Sequence, residues 1–190
     1  MKQYSENLIS DYLVNPCKFS ALPLYKEIRQ NNDLLVVHNN EFKEELLKGS
    51  TLHQRFFRIK HNLNDIHIVN IPGFTIKECN INKDTKKVIE IINRSYSNIK
   101  FSEDHVNQMV NDKVFDSNLW KFILDENTNE EVALGICQYD QLTSEVVFDW
   151  IQVLPEYRGK GIGSMLVTHL LSITPEGSKF ATVSGDIDNQ

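Results

Sequence analysis

Apolar and polar positions divide the chain into two stretches of different texture, and the second is the more regular. Residues 74–79 predict a strand. Residues 84–96 predict a helix with Val88, Ile91 and Ile92 on one face and Asp84 as its cap. Ser102 opens a second helix running to Val110, with Glu103 and Asp104 suited to its positive end. Three strand-like runs follow at 120–124, 132–139 and 146–153, separated by polar turns of hairpin length at 125–129 and 140–144. Ile162, Met165, Leu166, His169, Leu170 and Ile173 recur at helical spacing over 161–173, and Pro175 and Gly177 end that helix. A last strand is expected at 179–184. The resulting order, β-α-α-β-β-β-α-β, is that of a mixed sheet flanked by helices, an α/β protein of the α+β type.

Residues 1–72 are less regular and read as an N-terminal α/β extension or small subdomain ahead of a domain spanning 73–190. Short helices are expected at 9–14 and 22–29, a buried strand at 34–37, a helix at 41–48 stopped by Gly49, and a strand at 54–63. Pro72 and Gly73 punctuate the boundary. This first part could equally be a degenerate second half of the same kind, or an element that makes a homodimer.

Composition narrows the function. Apolar residues make up 41% and charged residues 24%, an ordinary globular balance. A net charge of −6 argues against a general nucleic-acid binder and leans towards cationic acceptors. No apolar run approaches the roughly 20 residues that span a bilayer. The N-terminus lacks the apolar core of a signal peptide. Cys17, Cys79 and Cys137 are odd in number and widely spaced, which suits reduced thiols in a cytoplasmic protein. The six histidines lack the close spacing of a zinc site, so no metal is expected.

The chemistry concentrates where the third hairpin strand meets the last helix. Pro155 ends the strand, and Arg158, Gly159, Lys160, Gly161, Ile162, Gly163 and Ser164 follow. Glycines let the backbone turn and approach a ligand, while the helix start presents unpaired N–H groups to an anion. Arg158 and Lys160 add positive charge in an acidic protein. A phosphate loop of the nucleoside-triphosphate type needs Gly-Lys-Ser/Thr, but Gly161 follows Lys160. A dinucleotide fingerprint needs G-x-G-x-x-G, and the spacing here is G-x-G-x-G. A bare strand-to-helix turn that binds nothing leaves Arg158 and Lys160 unexplained.

Arg158, Gly161 and Gly163 occupy the positions of the Gln/Arg-x-x-Gly-x-Gly/Ala signature, and this run resembles the GNAT superfamily of N-acetyltransferases. The resemblance covers about 74–190. It implies a GNAT-like, mostly antiparallel sheet, with acetyl-CoA and an amine-bearing acceptor as partners. It also implies that Ile151, Gln152 and Val153 run along the pantetheine arm, and that residues 158–164 hold the pyrophosphate. A backbone N–H near Val153 would then polarise the thioester, and Asn189 would contact the cofactor. The amine attacks directly, without an acyl-enzyme. Strand alternation places Val147, Asp149, Ile151 and Val153 on one face, which makes Asp149 the candidate general base and Glu145 the second choice. Cys137 is weakly supported as a nucleophile, His169 reads as a core histidine, and Tyr96 either lines the acceptor pocket or only packs. Family members continue past this point with a helix, two strands and a Tyr acid, whereas this sequence stops at Gln190. A fragment is therefore expected, with 179–184 a poorly protected sheet edge and the 190-residue species unstable, oligomeric or weakly active. A non-catalytic acyl-CoA sensor is the alternative to an enzyme.

Overall fold

A computed structural model describes residues 6–27, 35–49, 53–96 and 99–187. The chain divides into two compact units, Leu63–Ala181 and Met1–Asn62 together with Thr182–Gln190.

The larger unit follows the expected order. Its elements are β2 (Phe74–Glu78), α4 (Ile81–Ser95), α5 (Glu103–Val110), β3 (Trp120–Asp125), β4 (Glu130–Asp140), β5 (Glu145–Val153), α6 (Ile162–Ser172) and the start of β6 (Phe180–Asp186). The strands lie in the order β6-β5-β4-β3-β2, with β2, β3, β4 and β5 paired antiparallel. Both hairpin turns form as the polar runs predict. Asp125 Oδ1 accepts the Asn127 N–H at 2.9 Å, and Asp140 Oδ1 accepts the Leu142 N–H at 3.0 Å.

One face of this sheet packs on α4 and α5. Val88, Ile91 and Ile92 are fully buried there with Val106, Trp120, Phe122, Leu134 and Ile136, as the helical spacing requires. The cap differs from expectation. α4 begins at Ile81 because Ile81 also packs on this core, so Asn80 is the capping residue. Asp84 instead accepts the Asn80 N–H at 2.9 Å. The opposite face carries α6, which lies so close to β4 that a Cβ on Gly135 would fall 2.5 Å from Leu170 Cδ1 and 3.0 Å from Leu166 Cδ1. Gly135→Val is therefore expected to overpack the interface and cost about 1–3 kcal/mol, read as a lower urea midpoint with an unchanged slope.

The smaller unit contains α1 (Glu6–Val14), α2 (Pro16–Phe19), α3 (Leu24–Glu27), β1 (Phe56–His61) and the rest of β6. Asn15 lies between α1 and α2. Its side chain accepts the Lys18 N–H at 3.1 Å and caps α2, whose first residue is that proline, where no donor is needed. Two expectations fail here. Residues 35–37 form no strand, and Leu35 is 65% exposed; Leu34 lies outside the described residues, as do 28 and 29. Residues 41–48 form no continuous helix but two short 3-10 turns, Asn39–Glu41 and Glu44–Leu47, with no buried side chain to anchor a longer one.

The last strand was expected as an unprotected edge, and this too is corrected. β1 lies beside β6, the Ile187 N–H donates to the Arg55 carbonyl at 3.0 Å, and the Phe57 ring crowds Gly185. Arg58 ties the unit together. Its guanidinium donates to the carbonyls of Pro16, Ser20 and Leu22, to Tyr12 Oη at 2.5 Å and to Thr182 Oγ1 at 3.2 Å.

Candidate active site

The glycine loop joins β5 to α6, as the sequence predicts. Pro155, Glu156 and Tyr157 make one 3-10 turn, Arg158 is extended, and Gly161 sits at the helix N-cap with φ 82°, in the left-handed region where a side chain is strained. Gly159 shares that conformation, with φ 76°. No side chain caps α6, so the amides of Ile162, Gly163 and Ser164 open its positive end. A Cβ on Gly159 would meet nothing within 4 Å, and one on Gly163 would touch only Val153 Cγ2, at 3.7 Å. Backbone conformation calls for glycine at 159, whereas neither φ nor packing calls for it at 163. The bare backbone at Gly163 leaves the amides of the helix start open to approach by an anion.

The two loop cations have protein partners that the sequence did not reveal. Arg158 Nε donates to the Val153 carbonyl and Nη2 to the Ser95 carbonyl, both at 3.1 Å. This guanidinium braces the loop against the end of β5 and the end of α4. Lys160 Nζ stands 4.6 Å from the centre of the Tyr157 ring, and Tyr157 meets Phe74 edge-on at 6.3 Å. Arg94 pairs with Glu156 at 2.5 Å. From the other side, Ile71 would lie 3.2 Å from a Cβ on Gly161, and the Val69 N–H donates to Thr168 Oγ1 at 3.0 Å. The loop is held on three sides before any ligand arrives.

Strand β5 contains the feature that alternation could not foresee. Trp150 pairs with Ile136, but Phe148 pairs with Cys137, so β5 carries one extra residue and Asp149 is the bulge. The expected common face of Val147, Asp149, Ile151 and Val153 is broken. Val147 lies opposite Gln138 and shares the Trp150 and Gln152 face, whereas Ile151 and Val153 are on the other. A bulge re-aims its side chain, and Asp149 is only partly buried. Beyond it, Leu154 donates to the Val132 carbonyl at 2.9 Å, so ladder alternation turns the Val153 N–H and C=O away from β4.

The remaining candidates sort by environment. Glu145 is fully buried at the far end of β5, distant in sequence from the loop. Cys137 is fully buried, and burial, aided by the Asp149 charge, pushes its thiol well above the ordinary range. It stays protonated, which argues against a nucleophile. Burial likewise raises Cys79 to about 12. His169 is half-buried rather than a core residue; burial lowers its pKa, with Lys121 adding to the effect. Tyr96 accepts from Gln152 Nε2 at 3.5 Å and meets Trp150 edge-on at 6.2 Å. Asn189 lies outside the described residues. Among the described residues, no group of three or more His, Cys, Asp or Glu could hold a metal, and no helix is long and apolar enough to cross a membrane.

Residues 118–185 match the family described as the acetyltransferase (GNAT) domain. Among solved structures, a GCN5-related N-acetyltransferase from Sphaerobacter thermophilus superposes with a TM-score of 0.65 at 14% identity, covering 77% of this chain and 47% of that one. A Drosophila protein superposes with a TM-score of 0.52 at 17% identity, covering 72% and 43%. The chain thus spans about half the length of these structures. At such identities the likeness concerns the fold. No curated protein matches.

Proposed function

We propose that this protein transfers an acetyl group from acetyl-CoA to a primary amine within a ternary complex. One observation carries the reading: an uncapped helix start follows two left-handed glycines at the end of a sheet strand, in a domain matched to acetyltransferases. Gly159, Lys160, Gly161, Ile162, Gly163 and Ser164 surround the pyrophosphate, and Arg158 braces the loop that carries them. Ile151, Gln152 and Val153 run along the pantetheine arm. The Val153 N–H, turned away from β4, supports the role of holding negative charge on the thioester oxygen. Asp149 takes the ammonium proton, directly or through water, and the freed amine forms the new C–N bond as the C–S bond breaks. The second amine proton passes from nitrogen to the departing thiolate, and the products are the acetamide and CoA. The buried, protonated Cys137 favours direct attack over an acyl-enzyme. Thiols that form no disulfide suit a reducing, cytoplasmic setting.

The loop is tested by thermal unfolding with acetyl-CoA. At 100 times Kd the ligand adds about 2.7 kcal/mol to native stability, a rise in Tm of about 5–10 °C. Gly163→Asp should abolish this rise while leaving the free protein folded, because an acid in the first helical turn suits the dipole but repels phosphate. A variant that still responds like the parent places the phosphates elsewhere. CoA release across a panel of amines then separates an enzyme from a sensor that binds without turnover.

A further inference from the structure

Gln152 poses a problem that the loop does not solve. It is 4% exposed, and its buried Oε1 has no hydrogen-bond partner. Nearly all buried polar atoms find one, so an orphaned oxygen calls for a reason. The other end of the amide reaches Tyr96 Oη only at the outer limit of a hydrogen bond, 3.5 Å. Pairing with Leu134 puts Gln152 on the α4 and α5 side of β5, opposite the face where Val153 meets the glycine loop. Its neighbours there are aromatic. Trp150 meets Tyr96 at 6.2 Å and Phe101 at 5.1 Å, both edge-on. Tyr96 and Trp150 are partly exposed. Tyr96 also directly follows Ser95, whose carbonyl is gripped by Arg158, so this aromatic wall is fixed to the phosphate loop.

We infer that Gln152 is a positioning residue for the acceptor, its Oε1 receiving a neutral N–H that flanks the reacting amine. The inference rests on the transferase reading for the identity of the second substrate. The chemical class follows from the surroundings. Tyr96, Phe101, Trp150 and Gln152 carry no charge, so beyond the Asp149 carboxylate assigned to the reacting amine this wall offers the further cationic groups of a polyamine nothing to pair with. It offers an amide N–H one unsatisfied oxygen and flat apolar edges for the adjoining group. The acceptor is therefore an α-amino amide rather than a polyamine, a shift from the cationic preference that net charge suggested.

Binding can be read without turnover. Protein saturated with CoA is titrated with glycinamide or with glycine methyl ester, in which oxygen replaces the N–H, and Trp150 fluorescence is followed. Trp120, 1% exposed, supplies a constant background. The wild type should bind the amide about tenfold more tightly than the ester. Gln152→Met should lose that preference, and Gln152→Glu, which keeps an acceptor oxygen, should retain it. The Tm of Gln152→Met should equal or exceed that of the wild type, since an apolar group replaces an orphaned polar one; a purely structural glutamine would show the reverse. Equal binding of amide and ester by the wild type, or a preference that survives in Gln152→Met, overturns the inference. A protein that binds glycinamide selectively yet releases no CoA from acetyl-CoA disproves the transferase reading and leaves this one standing.

Discussion

Asp149→Asn is expected to lower kcat by about 10²–10⁴-fold while leaving acetyl-CoA stabilisation of the native protein unchanged. Both halves of that result are needed. A protonated amine is not a nucleophile at neutral pH, so a group close to it must remove the proton. The amide of Asn preserves size and polarity but cannot accept that proton at the required strength. The bulge is what makes Asp149 a reasonable site for this work, since it takes the residue out of the regular ladder beside the strand end that meets the loop. The glycine loop begins nine residues further on at Arg158 and has its own braces, so cofactor binding should not change. A pH–rate profile completes the test. The shape should change in the variant, which depends on the free-amine fraction that solvent alone provides. Equal kcat and a superimposable profile would remove Asp149 from the mechanism.

The second large effect concerns stability. Arg58→Ala should destabilise the smaller unit by about 3–5 kcal/mol, because truncation leaves several inward-facing acceptors without their donor. Those acceptors come from two separate stretches: Tyr12 and the carbonyls of Pro16, Ser20 and Leu22 on the N-terminal helices and their connections, and Thr182 on β6. Tyr12 is fully buried and Thr182 is 3% exposed, so water cannot readily replace the guanidinium. Arg58→Lys should recover only part of the loss, since an ammonium cannot span the same fork. Limited proteolysis reads the result directly, with faster cleavage near residues 15–22 than in the parent. Proteolysis at the parental rate would mean that the Arg58 hydrogen bonds are dispensable.

Much of the larger unit was legible in the sequence because its elements obey simple periods. Val88, Ile91 and Ile92 recur at helical spacing and become the most buried face of α4. The polar hairpin turns announce themselves through Asp125 and Asp140, whose carboxylates hydrogen-bond within the turn. The glycine loop was legible for the same reason: the need for a left-handed residue at a helix start is local, and only glycine meets it without strain. Where local preference was weak, the sequence misled. Residues 35–37 are apolar enough for a strand but find no ladder, and 41–48 lack an apolar stripe strong enough to sustain a helix.

By itself, then, the sequence determined the element order, the glycine loop at the start of α6 and the α/β class, all set by interactions between residues a few positions apart. Tertiary structure alone decided three things. Pairing with β4 inserted Asp149 as an extra residue and reassigned the faces of β5. Distant carbonyls at Val153 and Ser95 made Arg158 a brace. Folding buried the Gln152 amide beside Tyr96 with one oxygen unanswered, and packed Tyr96 and Phe101 on Trp150. None of these follows from periodicity, because each depends on which partner a strand or side chain meets after the chain has folded.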